Sequence, residues 1–447
     1  METPICDFVR RYATDNALRL HMPGHKGRGA LGMEQLDITE IDGADSLYEA
    51  VGIIRQSEKN AGALFGCETF YSTEGSSQCI RAMLYLAALH AKQGGRKPLI
   101  AAARNVHKTF LSAAALLGLD VMWLYPREPD SYLSCKLEAE ELEGSLSQAA
   151  VKPAAVYLTS PDYLGGLVDV RSLSEVCHRH GVLLIVDNAH GAYLRFLRPS
   201  RHPIDLGADI CCDSAHKTLP VLTGGAYLHV SKAAPPIFVQ QAKNALALFG
   251  STSPSYLILQ SLDNANAYLA QGYSDRLAAF LPQVQALKDR LGRHGYCLRG
   301  EEPLKLTIST KPYGYEGRQL AQLLLEKNIV CEFADPDLVV MMLTPEIAET
   351  GLNRLEAALL SIPKRTGITH MPPAFHPCEA VMSIRDAALS LCETLPVKDS
   401  VGRILAAATV GCPPAVPIVA CGERIDEAAL PCFSYYGIEA CTVVMDR

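Results

Sequence analysis

Short apolar runs alternate with helical stretches through the middle of this chain, and no other feature restricts its possible folds as much. Between about residues 54 and 300, the runs PLIAAA, VMWLY, AAVYLTS, LLIVD and ADICCDS are separated by segments with helical spacing. Strands that alternate with helices in this way form βαβ units, in which neighbouring strands are parallel. The sequence therefore predicts an α/β fold with a mostly parallel sheet covered by helices on both faces.

The flanking segments divide the chain into three predicted parts. Residues 1–53 are rich in turn signals and show little periodicity, so we expect an N-terminal arm. Residues 54–300 would form the large domain, which ends in a long helical region over about 255–294. Residues 301–447 repeat strand and helix patterns on a smaller scale. We expect this last part to be a smaller C-terminal α/β domain.

The tail of the predicted small domain contains irregular and cysteine-bearing segments. Helices are expected over 345–360 and 379–393, and a Pro-rich stretch at 411–417 interrupts regular structure. None of the 15 cysteines is spaced as Cys-x-x-Cys. This includes the four that recur through the tail, Cys412, Cys421, Cys432 and Cys441. We therefore predict reduced, buried thiols and no metal site.

Charge and composition favour a small-molecule ligand. The 447 residues carry 41 basic and 48 acidic side chains, and no block of like charge stands out. This distribution does not favour nucleic acid or an anionic membrane as a partner. The N-terminal residues lack an apolar core followed by a cleavage site, and no stretch approaches the roughly 18 apolar residues of a membrane helix. We therefore expect a cytoplasmic protein.

An acid and a lysine follow two of the predicted strands. Asp187 ends the apolar run LLIVD, and Lys217 ends the sequence Ser-Ala-His-Lys just past ADICCDS. Loops at the carboxyl edge of a parallel sheet build binding sites. A lysine can hold pyridoxal phosphate as a Schiff base, while an acid keeps the ring nitrogen protonated so that the ring accepts electrons. Asp187 could also simply cap a helix, but its place at the end of a buried run favours the site.

The phosphate of such a cofactor needs backbone amides and hydroxyls. Gly75, Ser76 and Ser77 open a predicted helix that runs through Ala91. A helix N-terminus binds phosphate well, although the same residues also form an ordinary helix cap. Ser214 is a plausible further phosphate ligand.

The two faces of the cofactor ring also have candidates. His107 follows PLIAAA and would reach the same edge of the sheet, where an imidazole can stack on the pyridine ring. Ala189 lies two residues beyond Asp187 and would press on the opposite face. The turn at 160–166, SPDYLGG, could touch the 3-hydroxyl or could be a simple turn.

Taken together, these motifs resemble the ornithine/lysine/arginine decarboxylase family of pyridoxal-phosphate enzymes, which have the aspartate-aminotransferase-like fold (fold type I). The segments that carry the resemblance are LRLHMPGHKGRG, DITEIDGADSLYEAVGIIRQSEKNAGALFG, DNAHGAYLRF, DSAHKTLPVLTGGAYLHV and PPAVPIVACGERI. The resemblance implies α-decarboxylation of arginine, lysine or ornithine in polyamine metabolism. It also implies at least a homodimer, because active sites of this fold type generally lie at a dimer interface.

The resemblance also implies roles for individual residues. Lys217 would bind the cofactor, Asp187 would pair with the ring nitrogen, and His107 would stack on the ring. The other implied cofactor-binding residues are Gly75, Ser76, Ser77, Ala189, His190, Ser214 and His216. Either His216 or Lys217 would return the proton to Cα. The acid that meets the distal cation of the substrate stays open among Glu332, Glu316, Asp45 and Glu423.

Some residues depart from the family pattern. The family commonly has Glu where this chain has Asn188, and Asp-Leu-His where it has Ser46, Leu47 and Tyr48. The chain resembles the short form, without the N-terminal wing of the long enterobacterial members. The change at Tyr48 falls in a segment that we expect to approach the partner subunit's active site, and bears on substrate choice more than on chemistry.

Two other functions use the same residues. An aminotransferase or a β-eliminating lyase would keep the cofactor, but aminotransferases of this fold place an arginine for the α-carboxylate. None of the arginines available for this lies in a recognisable motif: Arg318, Arg354 and Arg365. A non-catalytic cofactor-binding protein is the third interpretation, and the presence of both Asp187 and Lys217 disfavours it.

Overall fold

The computed structural model describes residues 1–127, 131–407, 409–412 and 416–446. They divide into two compact units, each made of two stretches of chain: Met1–Arg96 with Leu183–Leu277, and Lys97–Val182 with Ala278–Arg447. The boundaries predicted after residues 53 and 300 stay a prediction. Part of the predicted Pro-rich interruption, residues 413–415, lies outside the described residues.

The helices and strands follow the predicted alternation. The helices are α1 Pro4–Thr14, α2 Ile53–Phe65, α3 Gly75–Gln93, α4 Lys108–Leu117, α5 Ala139–Gln148, α6 Val170–Arg179, α7 Ala215–Thr218, α8 Pro236–Ala247, α9 Tyr256–Ala270, α10 Tyr273–His294, α11 Gly317–Leu325, α12 Ala348–Leu360, α13 Ile384–Ala388 and α14 Leu430–Tyr435. The strands are β1 Glu68–Ser72, β2 Leu99–Ala103, β3 Asp120–Leu124, β4 Ala155–Thr159, β5 Leu183–Asp187, β6 Ile210–Asp213, β7 Ala226–Val230, β8 Cys297–Arg299, β9 Lys305–Ser309, β10 Phe333–Ala334, β11 Leu338–Met342, β12 Cys392–Pro396, β13 Thr409–Cys412, β14 Val416–Ala420 and β15 Ala440–Val444. No helix in the described ranges is long and apolar enough to cross a bilayer.

Parallel strand pairs in both units, with helices between the strands, confirm the predicted α/β fold class. In the first unit the strand order is β1, β7, β6, β5; β7 is antiparallel to both of its neighbours, and β5 and β6 are parallel. In the second unit β4, β2 and β3 are parallel neighbours. Because β5 and β6 run parallel and pair, their carboxyl ends lie at one edge of the sheet. Asp187 and the segment before Lys217 are therefore neighbours across that edge.

The second unit also contains smaller sheets. A four-stranded antiparallel sheet has the order β10, β11, β9, β8, and two strand pairs join β12 with β15 and β13 with β14. A hydrophobic core packs Val340 of β11 with Ile418 of β14 and Phe433 of α14, all fully buried. This agrees with the strand and helix patterns predicted for the C-terminal part.

The prediction of an irregular arm was wrong at its start, where residues 4–14 form α1. Ile5, Cys6 and Val9 bury one face of this short helix. The first N–H groups of α1 have no acceptor within the helix, and Asp263 supplies one. Its Oδ2 accepts the backbone N–H groups of Ile5 and Cys6 at 2.9 and 3.0 Å. A helix that depends on a carboxylate far along the chain has a weak local signal.

The helix predicted over 379–393 was also wrong, since only α13 is helical there. Before it, the amides of Val381 and Met382 donate to the Gly422 carbonyl at 3.0 and 3.1 Å. After it, Cys392 begins β12, which pairs with β15. Long-range backbone bonds therefore compete successfully with the local helical pattern on both sides.

Candidate active site

Asp187 is the buried acid at the carboxyl end of β5. Its side chain is 2% exposed, and its residue pairs in register with Cys212 of β6. The Ala189 backbone N–H donates to Asp187 Oδ1 at 3.2 Å, and the Cys212 thiol approaches the same oxygen at 3.7 Å. These donors fix the orientation of the carboxylate at the end of the strand. Ala189 itself is buried.

Lys217 lies on the single turn of α7, directly after β6. Its side chain is half-buried, and its Nζ is 2.9 Å from Nε2 of His190. His190 is buried and follows Asp187 by three residues. The contact therefore joins the end of β5 to α7 and orients the lysine amine.

The first turn of α3 packs beside the lysine-bearing segment. Gly75 opens this 19-residue helix with a φ of 70°, and its amide donates to the Gly224 carbonyl at 2.7 Å. The Ser214 hydroxyl donates to Ser76 Oγ at 2.8 Å. A Cβ on Gly75 would lie 4.0 Å from His216 Cε1. The helix N-terminus, which favours anions, is thus adjacent to His216.

His216 and Ser77 complete the predicted set in the first unit. The Nδ1 of His216 is 3.0 Å from the Gly225 carbonyl, which also accepts the His216 backbone N–H at 3.3 Å. A carbonyl only accepts, so Nδ1 carries a proton. Ser77 is half-buried on the first turn of α3, next to Ser76.

The described contacts bring these residues together in the first unit. Comparison with known proteins identifies the family of the chain. A family model described as Orn/Lys/Arg decarboxylase, major domain, matches residues 3–299. A second model, described as the C-terminal domain of the same decarboxylases, matches residues 365–441. The chain belongs to the Orn/Lys/Arg decarboxylase family. It is a decarboxylase, a carboxy-lyase.

Individual relatives agree with the family models. An arginine decarboxylase of Bacillus subtilis is 29% identical over 95% of this chain and 92% of its own length. An arginine decarboxylase of Halalkalibacterium halodurans is 28% identical over 96% of this chain and 92% of its own. The solved lysine decarboxylase LdcF of Francisella novicida has the same fold, with a TM-score of 0.79 and 15% identity over 99% of this chain and 81% of its own.

The family implies pyridoxal phosphate, and the residues of the decarboxylase site fit this group. A half-buried amine on α7 can reach a cofactor, while the buried Asp187 carboxylate offers an acid partner for a ring nitrogen. Gly75 opens α3 with a φ of 70° and no side chain, so an anion could approach the backbone of this turn closely. The donor set therefore suits an amine-reactive, phosphorylated ring.

His107 lies in the second unit of the decarboxylase, where it caps α4. Its Nδ1 accepts the Thr109 backbone N–H at 3.2 Å and lies 2.9 Å from Thr109 Oγ1. A ring nitrogen that accepts a backbone N–H carries no proton. The predicted stacking of His107 on a cofactor ring stays a prediction.

A buried network behind Asp187 was missed from the sequence. Asn188 is fully buried, and its Nδ2 donates to Asp213 Oδ1 at 2.6 Å. The other oxygen of Asp213 lies 3.1 Å from His202 Nε2 and 3.2 Å from His229 Nε2. Burial alone would raise the pKa of Asp213, but its two histidine contacts hold that pKa well below its usual value. Asp213 is therefore a buried carboxylate, and the amide at position 188 can donate to it where a second carboxylate could not.

Three of the four candidate acids for a distal cation already have structural partners. Asp45 accepts backbone N–H groups at the start of α2, including those of Gly52 and Ile54 at 2.8 and 3.0 Å. Glu316 forms a capping box at the start of α11. Glu423 is 1% exposed and pairs with Arg104 at 3.2 Å. In each of these acids at least one carboxylate oxygen is therefore already held by a structural partner.

Glu332 is among the residues that line a cavity. The cavity has a volume of about 450 Å³ and lies within the second unit. The Tyr163 hydroxyl donates to Glu332 Oε1 at 3.1 Å. Both Met341 and Leu343 also line the cavity, so it combines an acid with an apolar wall.

Two groups among the described residues bring metal-ligand side chains close together. One consists of His202, Cys211 and Asp213, and the other of His376, Cys378 and Asp426. Hydrogen bonds join Asp213 to His202, and His376 to Asp426. The tail cysteines are not in these groups: Cys421, Cys432 and Cys441 are buried, and the side chain of Cys412 lies outside the described residues.

Proposed function

We propose that this decarboxylase removes the α-carboxylate of a basic amino acid with pyridoxal phosphate as cofactor, and that the product amine enters polyamine metabolism. The observation that carries the proposal is Lys217 Nζ, oriented by His190 beside a strand that ends in the buried Asp187. Among these substrates we favour arginine, because the two named relatives, which each match more than nine-tenths of this chain, are arginine decarboxylases. Lysine and ornithine are the alternatives.

The residues of the site have separate tasks in this reaction. Lys217 Nζ would hold the cofactor, and Asp187 would keep a proton on its ring nitrogen. When bound, pyridoxal phosphate supplies an electron sink for the electron pair that the departing carboxylate leaves. His216 carries a proton on Nδ1, which it donates to Gly225. Either His216, carrying a second proton on Nε2 as an imidazolium, or Lys217 would return the proton to Cα.

The phosphate would be held by the first turn of α3. Ser76 and Ser77 would offer their amides there, and Gly75, whose own amide donates to the Gly224 carbonyl, would let the phosphate approach the backbone closely. The Ser214 hydroxyl reaches Ser76 Oγ at 2.8 Å. His190 would orient Lys217, while His107 and Ala189 would contact the two faces of the ring. These assignments extend the family's pattern to this chain.

Product analysis tests the proposed reaction and its substrate. Arginine, lysine and ornithine are each incubated with the enzyme, and norleucine serves as a control that has no distal cation. We expect carbon dioxide and one equivalent of amine from at least one basic substrate, and turnover of norleucine that is lower by about tenfold or more, because one ion pair is lost. Keto-acid formation without carbon dioxide would show that the enzyme is an aminotransferase instead.

We also propose a homodimer, because the arm leaves an apolar surface uncovered. Its polar groups are used within the arm: His21 lies 2.6 Å from Tyr12 Oη, and His25 lies 3.2 Å from Asp37. Four apolar side chains of the arm are instead 79–91% exposed: Leu18, Leu20, Leu31 and Val51. We expect this exposed apolar surface to be buried against a second copy of the chain. Over a dilution series, the sedimentation coefficient and the activity should fall together as the dimer dissociates. A fully active monomer would contradict the proposal.

We propose the cytoplasm as the location of the enzyme. All fourteen cysteines whose side chains the structure describes are free thiols, and most are buried. Burial raises the pKa of several of them, including that of Cys135 to about 11, so these thiols are poorly reactive. Fractionation of cells that express the chain tests this location.

A further inference from the structure

Tyr48, one of the residues that departs from the family pattern, is part of the turn that opens α3. Its Oη accepts a hydrogen bond from Gln78 Nε2 at 2.8 Å. Gln78 lies on the first turn of α3 and is fully buried. A buried amide that loses its acceptor cannot replace it with water. The tyrosine hydroxyl is therefore tied to the beginning of this helix.

Gln78 connects Tyr48 by further hydrogen bonds to the residues that precede the helix. Its second N–H donates to the Leu246 carbonyl at 2.8 Å, and its Oε1 accepts from the Ser72 hydroxyl at 2.5 Å. Ser72 Oγ in turn accepts the Glu74 backbone N–H at 3.1 Å. A continuous chain of hydrogen bonds thus runs from Tyr48 to the backbone that immediately precedes Gly75.

The space around the tyrosine hydroxyl is closed. A Cβ on Gly250 would lie 1.9 Å from Tyr48 Oη and 2.2 Å from Gln78 Nε2, so no side chain fits there. The next residue, Ser251, donates its backbone N–H to Glu74 Oε1 at 2.8 Å. The loop after α8 therefore covers the Tyr48–Gln78 bond and holds the same turn from its other side.

We propose that Tyr48 is a positioning residue for the phosphate of the cofactor. It acts through Gln78 and Ser72 on the turn 72–75, and so holds the first amides of α3 in the direction in which the dianion binds. Donors that are held in place before binding lose less entropy when the anion arrives. This inference rests on the proposed binding of pyridoxal phosphate, and assigns Tyr48 to the cofactor and not to substrate choice.

The substitution Tyr48→Phe tests this role, because it removes the acceptor and keeps the ring. The cofactor-free protein is titrated with pyridoxal phosphate, and separately with pyridoxal, which lacks the phosphate, while visible absorbance is followed. We expect the dissociation constant for pyridoxal phosphate to rise about tenfold, and that for pyridoxal to change by less than about twofold. A general loss of structure would instead weaken the binding of both compounds equally.

A second test variant and a control variant help to interpret the result for Tyr48→Phe. Gly250→Ala pushes a methyl group into the Tyr48–Gln78 bond and should give the same phosphate-specific loss. Tyr296→Phe is the control, since Tyr296 Oη also donates a buried hydrogen bond, to the Leu359 carbonyl at 2.8 Å, but in the second unit. It should leave both dissociation constants unchanged. Thermal unfolding of each cofactor-free variant shows that it is folded.

The outcomes separate this inference from the proposed function. Two results for Tyr48→Phe would overturn the role of Tyr48 but leave cofactor binding in place. One is an unchanged dissociation constant for pyridoxal phosphate, and the other is an equal rise in the dissociation constants of both compounds. In the Ser72→Ala background, Tyr48→Phe should add little, because the chain of bonds is already broken; fully additive losses also overturn the inference. A wild-type protein that binds neither compound overturns the proposed function itself.

Discussion

Replacing Lys217 with alanine is expected to abolish decarboxylation, with a fall in kcat/KM of at least about a thousandfold. Lys217 is the amine that His190 orients at 2.9 Å, and no other group on α7 can hold a cofactor covalently. The visible absorbance of lysine-bound pyridoxal phosphate should vanish in the same variant. Absorbance spectra and carbon dioxide release from arginine, lysine and ornithine measure the two effects.

A matched lysine provides the control for Lys217→Ala. Lys232 is exposed just after β7, so Lys232→Ala should keep both the absorbance and the activity. The fold should survive in both variants, because Lys217 is only half-buried and Lys232 is exposed. A Lys217→Ala enzyme that keeps its turnover would show that another group carries the reaction.

The substitution Asn188→Asp is expected to destabilise the protein strongly, by about 3–5 kcal/mol at pH 7. It keeps the size of the side chain but replaces the amide that donates to Asp213 at 2.6 Å with a second carboxylate. Both positions are fully buried, so neither charge can turn to water. Urea unfolding, with the slope held the same, measures the loss of stability.

The pH dependence of this loss has a definite sign. Burial beside Asp213 raises the pKa of the introduced carboxyl above its unfolded value of about 4. The folded state then binds more protons than the unfolded state, so the free energy of unfolding falls as pH rises above about 4. The variant should therefore be closest to the wild type in acid and weakest at neutral pH.

The double substitution Asn188→Asp with Asp213→Asn restores the pair with its roles exchanged. An amide at position 213 can donate to the acid at position 188, while its oxygen accepts from the two histidines that lie 3.1 and 3.2 Å from Asp213. We expect most of the stability to return, so the two single losses are far from additive. Simple addition of the two losses would contradict the matched pair.

Regular elements with a strong local pattern were predicted well from the sequence. The apolar runs became β2 to β6 within one or two residues of their expected ends, and the helix expected over 76–91 became α3. The failures were at α1 and around α13. There the backbone partners come from Asp263 and Gly422, which are far along the chain, so a local pattern carries no signal for them.

The candidate site shows the same division. Asp187, Ser76, Ser214 and Lys217 were identified at or just past the ends of strands or at the start of a helix, and His216 was implied by the family resemblance. The structure places all five in one unit. Their contacts were not predicted. His190 meets Lys217 across 27 residues, and Ser214 meets Ser76 across 138. Such pairs depend on how β5, β6 and α3 pack together.

The sequence by itself determined the α/β class, the family and the residues that can carry its chemistry, because each is written in a short motif or a local period. Only the tertiary structure decided which atoms meet. It turned Tyr48 toward Gln78, put Asn188 against Asp213, and gave Asp45 and Glu423 structural partners. The physical reason is that burial and hydrogen bonding select one partner for each polar group, and strand pairing and helix packing bring that partner from a distant part of the chain.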